Sequence, residues 1–485
     1  MKTASGKRKS SNRSDVDGKR ARDYKSSEGE SDVNNLSEKS NGNTRGQVVE
    51  YDSPRAAMSS LLKPHKLEDF FSCYWEKQPL VVKRSDNIGA PPNLFSKNIL
   101  LDLLKEHALK FVEDINVCRY VDGARKNLNG KGRITVKKAL HLLEKEGATL
   151  QIHQPQRFVD ELWKLMEKLE CFFKCLVGAN VYITPRNSQG LSPHYDDVEV
   201  FIIQLEGCKE WKLYRPPVEL PREYSSDLTQ EEIGEPTHSF TLYPGDLLYM
   251  PRGTVHQART PSTSKDCSTH VTISTYQKHT VGDYLMTMMP KIVEAAMNES
   301  VEFRQGIQLD SRPFEVKKEI VKSLLEKLPE VLENMEMVPS CEKLQDYMKF
   351  RLPPFGVRQE EVLESTPEGS PPRIKSLVSL KYPDHVHCIL SEDEEDDDLS
   401  KYLFVYSSVM NDRSRHMMSR GDDEDEIEQI NSTLKFPPHY AKALEQLQER
   451  VEMRVSDLEL PSESDKLNLV TTLWTQHLIT VVDSS

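Results

Sequence analysis

Cysteine is scarce in this chain: there are eight in 485 residues, and no two form a CxxC pair. A disulfide framework or a cysteine-bound structural zinc is therefore not expected, and a reducing compartment is the natural home. The nearest pair, Cys171 and Cys175, reads as two faces of one helix. Long apolar runs are also missing. None approaches the ~18–20 residues that span a bilayer, so no membrane association is expected. The opening MKTASGKRKSSNRS lacks the apolar stretch of a secretory signal. Hydrophobic residues make up only 37% of the chain against 29% charged, which predicts disordered sequence beside the folded cores. Positive charge is not in surplus either. The net charge of −13 argues against strong direct DNA binding.

That charge is unevenly spread. Residues 1–48 hold eleven Lys/Arg and seven Asp/Glu and almost no large apolar side chains, so they read as a disordered basic tail. Within it, Lys7-Arg8 and Lys19-Arg20-Ala21-Arg22 resemble a bipartite nuclear-import signal, with a merely solubilising tail as the alternative. The runs at 391–398 and 422–428 carry seven and six acids and no bases, which leaves the remainder near −4. These runs would repel phosphate or attract basic partners, unless they are simply solvated loops. Arg413, Arg415 and Arg420 lie between them. The acidic total describes two late loops and does not exclude a basic partner or a nuclear address.

Five segments are expected: a tail over 1–48, a catalytic domain over 49–281, helices over 282–355, a linker over 356–374 and a last domain over 375–485. Phe70, Phe71, Tyr74 and Trp75 recur at helical spacing before the β run Pro79–Val82. An amphipathic helix is predicted over Gln156–Lys174. Strands are predicted at Val181–Thr184, Val198–Leu205, Glu210–Tyr214, Asp246–Met250 and His270–Tyr276, a spacing that favours a barrel or jelly roll. Helical periods at 282–298, 313–328 and 340–350 look too few and too apolar for a core of their own, so packing on the barrel or on a second copy of the chain is expected. The Pro-rich stretch Thr366–Pro372 marks the linker. Beyond it, strands at Ser376–Lys381, Val386–Leu390 and Tyr402–Tyr406, with helices at 439–450 and 462–477, suggest a small α+β module of winged-helix type.

The chemistry sits among the strands. In His194-Tyr195-Asp196, residues i and i+2 of a strand point to one side and can converge on one ion. His256 would supply a third ligand, completing one face of an octahedron and leaving positions open, as in two-His-one-carboxylate iron sites. An HxD triplet alone is weak, and a surface turn is its default reading. Here it follows Ser192-Pro193 and precedes an apolar strand ending at Glu206-Gly207. Pro244-Gly245-Asp246 then turns into another strand, and Pro251-Arg252-Gly253-Thr254-Val255-His256 bends the second histidine back toward the first pair.

These motifs resemble the JmjC-type double-stranded β-helix, a jelly-roll or cupin-like fold of iron(II)- and 2-oxoglutarate-dependent oxygenases. The resemblance extends to the ribosomal oxygenases, which are protein histidyl hydroxylases. It is carried by Phe70–Leu80, Ile152–Phe158, Asn180–Pro185, Ser188–Leu191 and Thr269–Tyr276, and covers the chain from about residue 50 to its end. The fold class it implies is α+β: a JmjC core, a helical dimerisation region and a C-terminal winged helix. It implies Fe(II) bound by His194, Asp196 and His256, with 2-oxoglutarate and dioxygen as co-substrates. Lys209 would pair with the distal carboxylate of 2-oxoglutarate, the alternative being a plain surface lysine. Tyr182 would help bind it, touch the substrate, or simply pack in the core. Asn116, Gln151, Gln154, Asn180 and Ser274 match the family's substrate cleft, where amides and hydroxyls suit a neutral imidazole, or else serve structure alone. The implied product is a hydroxyhistidine in a large-subunit ribosomal protein, made in the nucleus or nucleolus by a homodimer and linked to ribosome biogenesis. Demethylation of histone H3 lysine by the same metal chemistry, or a non-catalytic chromatin or ribosome-assembly scaffold, are the competing expectations.

Overall fold

Two facing antiparallel sheets form the middle of the computed structural model, which describes residues 49–84, 93–306, 314–334, 342–359, 362, 365–392, 401–418 and 433–482. The basic tail with its Lys/Arg clusters, the acidic runs beyond Glu392, and Arg420 lie outside the described residues. The first strands are β1 Leu80–Val82, β2 Ile115–Val121, β3 Ala124–Asn127, β4 Thr149–His153, β5 Gly178–Thr184 and β6 Ser188–Gln189. The chain continues with β7 Glu199–Glu206, β8 Lys209–Tyr214, β9 His238–Leu242, β10 Leu247–Met250, β11 Val255–Thr260 and β12 Ser268–Thr275. The larger sheet has the order β1-β10-β7-β12-β5-β4-β2-β3, and the smaller β6-β11-β8-β9. This is the expected jelly-roll core.

Val200, Ile202, Trp211, Leu213, Leu242, Leu248 and Met250 fill the space between the sheets. The larger sheet's other face, with Val181, Ile183, Phe201, Ile203, Val271 and Ile273, is covered by helices. These include α1 Pro54–Leu62, α2 Leu67–Cys73, α3 Lys97–Glu106, α4 Val136–Glu144 and α5 Asp160–Phe173. Burial on both faces is why β7 reads as a continuous apolar run rather than an alternating one. Each Leu or Ile so buried contributes about 1.5–3 kcal/mol. The β2–β3 hairpin, α3 and α4 carried no signal strong enough to be expected. Phe70 and Trp75 pack against Tyr249 at ring distances of 4.8 and 5.7 Å, which ties the N-terminal helices to the sheet.

Two details depart from expectation. The helix expected from Gln156 starts at Asp160, because Gln154 at φ +46 leads into a separate 3-10 turn over Pro155–Arg157. Helix α5 ends where Lys174 turns left-handed, so Cys175 lies beyond it; both thiols are buried, but they are not two faces of one helix.

After a short α6 (Gln230–Ile233) come α7 Val281–Glu299, α8 Phe314–Leu325, α9 Leu328–Asn334 and α10 Glu342–Phe350. The helix expected over 313–328 is α8, which ends at Leu325, and α9 follows as a separate short helix. Met288, Ile292 and Ala296 of α7 pack with Leu328 and Val331, a small apolar cluster that the sequence did not predict. Val281, Leu285, Met286 and Met297 remain exposed on α7. The last part holds β13 Leu377–Leu380, β14 Val386–Glu392, β15 Lys401–Ser407, β16 Leu434–Phe436, β17 Met453–Arg454 and β18 Ile479–Val482. They form two three-stranded sheets, β17-β13-β18 and β14-β15-β16, around α11 Ala441–Glu449 and α12 Glu463–Thr475. Val357, Val362 and Ile374 of the expected linker pack against this core, so part of that stretch is built into the unit. Helix α5 joins the two halves through buried polar contacts. His385 Nε2 lies 2.6 Å from Glu167 Oε1, and His416 Nε2 lies 2.8 Å from Glu170 Oε1. No helix among the described residues is long and apolar enough to cross a membrane.

Candidate active site

His194 and His256 meet across an isolated antiparallel bridge: His194 N–H donates to His256 O at 3.2 Å, and His256 N–H to His194 O at 2.9 Å. His256 stands near the start of β11, as its turn predicts. His194-Tyr195-Asp196, by contrast, is no regular strand beyond that single bridge. Neighbouring backbone holds it: Tyr195 N–H donates to Ser225 Oγ, Leu228 N–H to Pro193 O, and Gly253 N–H to Asp196 O. Gly253 has φ +88, and a β-carbon there would lie 2.6 Å from Pro221 Cδ, so only glycine lets this turn hold the aspartate.

Each imidazole turns Nδ1 to a backbone carbonyl, His194 to Ser192 O at 2.8 Å and His256 to Thr254 O at 3.0 Å. A carbonyl only accepts, so Nδ1 carries the hydrogen and Nε2 presents its lone pair. Both Nε2 atoms lie 3.8 Å from oxygens of Asp196. One ligand atom from each of the three residues lies within 4.8 Å of the others. This donor set on one face suits a divalent first-row ion. Burial and the adjacent His194 push His256 down to about 4, against the pull of Asp196, so it stays neutral as a ligand must.

A cavity in front of the triad is lined by Tyr182, Thr184, Lys209, Trp211, His270 and Thr272 among others. Lys209 is only 4% exposed, and its Nζ donates to Thr184 Oγ1 at 2.9 Å. Among the described residues no carboxylate pairs with it, and burial pushes its pKa down to about 7. A buried amine without a counter-charge, facing a cavity, fits a carboxylate ligand. It is not a surface lysine. Trp211 Nε1, His270 Nδ1 and Ser192 Oγ, which also line the cavity, have no hydrogen-bond partner among the described residues. Thr184 and Thr149, with hydroxyls 3.1 Å apart, were not anticipated, although alternation from Tyr182 puts Thr184 on the same face.

The structure places the remaining expected residues beside this cavity, not in its wall. Tyr182 itself lines it; its ring stacks on His270 at 5.0 Å, and its hydroxyl accepts from Gln151 Nε2 at 3.1 Å. Burial, aided by Asp196, raises the Tyr182 phenol well above its ordinary value, so it stays protonated. Register explains the arrangement: Asn116 faces Gln151, Gln151 faces Tyr182, and Tyr182 faces His270 across four strands. A second row runs from His153 through Asn180 to Thr272, and Ser274 stands opposite Gly178. The amides are oriented by backbone. Val117 N–H fixes Asn129 Oδ1 as acceptor, so Asn129 donates to Asn116 Oδ1, and Asn116 Nδ2 donates to His153 Nε2 at 2.9 Å. Gln154 Oε1 accepts from Ala179 N–H at 3.0 Å, and the buried Asn180 Oδ1 has no hydrogen-bond partner among the described residues. A polar row of neutral donors and acceptors thus extends from the cavity along one sheet face.

A second cluster of metal-ligating types, Glu167, Cys171 and His385, is fully buried. Arg351 Nη2 donates to Cys171 Sγ at 2.7 Å and Glu167 Oε1 is bonded to His385, so these groups are engaged with one another at the junction between the two halves.

A family profile described as the JmjC domain matches residues 151–279, which hold the whole triad, Lys209 and Tyr182. The chain is 42% identical over 444 residues to ribosomal oxygenase 2 of Rattus norvegicus, an alignment covering 90% of this chain and 93% of that one. It is 44% identical over 268 residues to a Dictyostelium discoideum protein named bifunctional lysine-specific demethylase and histidyl-hydroxylase NO66, covering 54% of this chain and 51% of that one. Among solved structures, the ribosomal oxygenase YcfD of Escherichia coli aligns with 86% of this chain and 98% of its own at 14% identity and a TM-score of 0.45.

Proposed function

The chain belongs to the ribosomal oxygenase family of JmjC 2-oxoglutarate-dependent oxygenases, and from that premise we propose that it hydroxylates a histidyl residue of a large-subunit ribosomal protein, a step in ribosome biogenesis. The observation that carries this reading is the pairing of the His194–Asp196–His256 triad with Lys209, a buried amine in the same cavity that has no carboxylate partner among the described residues.

In this reading His194, Asp196 and His256 hold iron(II), which when bound supplies dioxygen activation coupled to oxidative decarboxylation of 2-oxoglutarate to succinate. Lys209 and the Thr184 hydroxyl hold the distal carboxylate of 2-oxoglutarate, with Tyr182 as the wall beside them. Val200, Ile202 and Trp211 keep the cavity floor apolar and exclude water. The carbonyls of Ser192 and Thr254 keep both ligand imidazoles in the tautomer that offers Nε2. Asn116, Gln151, Gln154, Asn180 and Ser274 are assigned to the target side chain. A neutral imidazole offers one donor and one acceptor, which amides on a fixed sheet can match without any charge partner.

A second reading, lysine demethylation on histone H3, is favoured by the name of the Dictyostelium relative alone. One assay separates them. The protein, Fe(II) and 2-oxoglutarate are incubated with a histidine-containing peptide of a large-subunit ribosomal protein or with a trimethyl-lysine histone H3 peptide, with His194→Ala as control. One oxygen gained by the first peptide supports the proposal, lost methyl groups on the second favour demethylation, and turnover of neither would leave a scaffold.

Three further assignments belong to the same proposal. The helices of 282–355 form a homodimer through the exposed apolar side chains of α7, the unit over 375–485 serves as a winged-helix module without strong DNA affinity, and the protein works in the nucleus and nucleolus. The exposure of Leu285, Met286 and Met297 supports the first, and the import-like basic clusters of the tail support the last.

A further inference from the structure

Gln154, assigned above to the target side chain, is held in place by residues far along the chain. Its Oε1 accepts from Ala179 N–H at 3.0 Å and from Gln156 Nε2 at 2.8 Å, and its own Nε2 lies on the side of Gly178. Gln156 Nε2 spends its second hydrogen on His416 Nδ1 at 2.7 Å. His416 in turn donates from Nε2 to Glu170 Oε1 at 2.8 Å, a carboxylate already fixed by the N–H groups of Val177 and Leu352. The directions follow from the backbone: Ala179 N–H makes Gln154 Oε1 an acceptor, so the Gln156 nitrogen donates to it, the same nitrogen donates to His416 Nδ1, and His416 Nε2 bears the hydrogen given to the Glu170 carboxylate. His416, Gln156 and Glu170 are all at most 2% exposed, so water cannot stand in for a lost partner.

The segment carrying His416 is clamped over this place. Arg413 Nε donates to Gln156 O and its Nη1 to Asp160 Oδ1, both at 2.6 Å, while its guanidinium lies over Trp163 at 4.3 Å. Asn411 Nδ2 donates to the carbonyls of Met348 and Arg351. Just beyond these anchors, Met417 takes a left-handed φ of +57 and brings its methyl toward Gly178. A β-carbon placed on Gly178 would meet Ser274 Oγ at 3.1 Å, Gln154 Nε2 at 3.3 Å and the Met417 methyl at 3.3 Å. Two of the residues assigned to the target and one from the C-terminal unit therefore converge on a single glycine.

We propose that the 411–418 segment of the C-terminal unit forms one wall of the substrate cleft, with Met417 as a specificity-determining contact and His416 as a positioning residue that sets the Gln154 amide through Gln156. The proposal rests on the histidyl-hydroxylase reading for the identity of the substrate, but not for the placement of the segment. Methionine suits the role: its unbranched, polarizable side chain can close over a ring while remaining adaptable to what flanks it.

The test compares the full chain with Met417→Trp, Met417→Ala, His416→Leu and His416→Asn, using a histidine-containing peptide of a large-subunit ribosomal protein. Met417→Trp and His416→Leu should raise the peptide KM about tenfold. The KM for 2-oxoglutarate and its slow peptide-independent turnover should stay within about twofold, because neither residue reaches the metal cavity. His416→Asn, whose Oδ1 can accept where Nδ1 did, should recover most of the loss. An unchanged peptide KM in Met417→Trp and Met417→Ala, or equal losses in His416→Leu and His416→Asn, would overturn the proposal. If the wild type consumes 2-oxoglutarate yet hydroxylates no histidyl peptide, the substrate reading fails, and the segment is judged by crosslinking alone. Ser274→Cys combined with Met417→Cys should be bridged by a short bifunctional thiol reagent, mapped by peptide mass; no bridge overturns the placement.

Discussion

Lys209 Nζ lies 2.9 Å from the hydroxyl of Thr184, and among the described residues that neutral oxygen is the partner its buried charge finds. A protein that buries an amine this way loses stability by it, and gains only when an anion arrives.

Replacing Lys209 with Met should therefore separate stability from binding. The apo protein should resist urea at least as well as wild type, while 2-oxoglutarate affinity falls ten- to a hundredfold, the worth of a charged hydrogen bond of about 1.5–3 kcal/mol. Equilibrium unfolding and calorimetric titration of the Mn(II)-loaded protein check the two halves separately. A destabilised Lys209→Met protein would show that the amine already has a counter-charge.

The same amine gives a pH dependence of defined sign. Burial pushes Lys209 down to about 7, so above that pH the free site is increasingly neutral and binding must recruit a proton. Affinity for 2-oxoglutarate should be flat below about 7 and weaken up to about tenfold per pH unit above it. Lys209→Arg, which stays charged, should remove that slope. Dissociation constants measured between pH 6 and 9 test both statements.

The buried junction at His385 and Glu167 should make the fold acid-labile. Burial pushes His385 down to about 4. Glu167, despite its own burial, is held below the usual carboxylate range by His385 and Lys168. Between about 6.5 and 4 the unfolded chain binds a proton on this histidine that the folded chain refuses, so stability falls as pH drops through that window. His385 gives this loss its sign, and Glu167, whose carboxyl is held low, adds to it lower down. Urea midpoints followed from pH 7.5 to 4.5 should show the decline, and His385→Asn should flatten it.

The exposed stripe on α7 sets a last expectation. Leu285→Asp with Met286→Asp should halve the mass seen by sedimentation equilibrium while leaving 2-oxoglutarate turnover measurable, since both side chains are exposed and neither lines the metal cavity. A wild-type mass that is already monomeric would remove the dimer from the proposal.

Much of the site was legible beforehand because its signals are local. His194 and Asp196, two residues apart, and His256 behind a Pro-Arg-Gly turn carry their geometry in the chain itself: Gly253 allows the turn, and backbone carbonyls two residues upstream orient both rings. Lys209 was named from resemblance. The reason it must be a lysine waited on knowing that Thr184 is its neighbour. The acids of α5 were invisible. Glu167 and Glu170 occupy buried positions on a helix that reads as ordinary and amphipathic, because their partners His385 and His416 lie more than two hundred residues away in sequence.

The sequence by itself determined the jelly-roll pattern of short apolar strands and the candidate triad, since strand periodicity, the HxD spacing and the turn before His256 are local signals; the co-substrate chemistry followed from resemblance to the family. The chain's scarce cysteine, without a CxxC pair, set the expectation of no disulfide framework, and its −13 charge belongs mainly to two acidic runs. Only the tertiary structure decided what the triad faces: a cavity whose buried lysine rests on the Thr184 hydroxyl, and a row of amides aligned by strand register. It alone brought the 411–418 segment onto the face of Gly178, beside Gln154 and Ser274. Such contacts join distant parts of the chain, and what selects them is the burial of polar groups that must each find a partner, a condition that no local pattern of residues records.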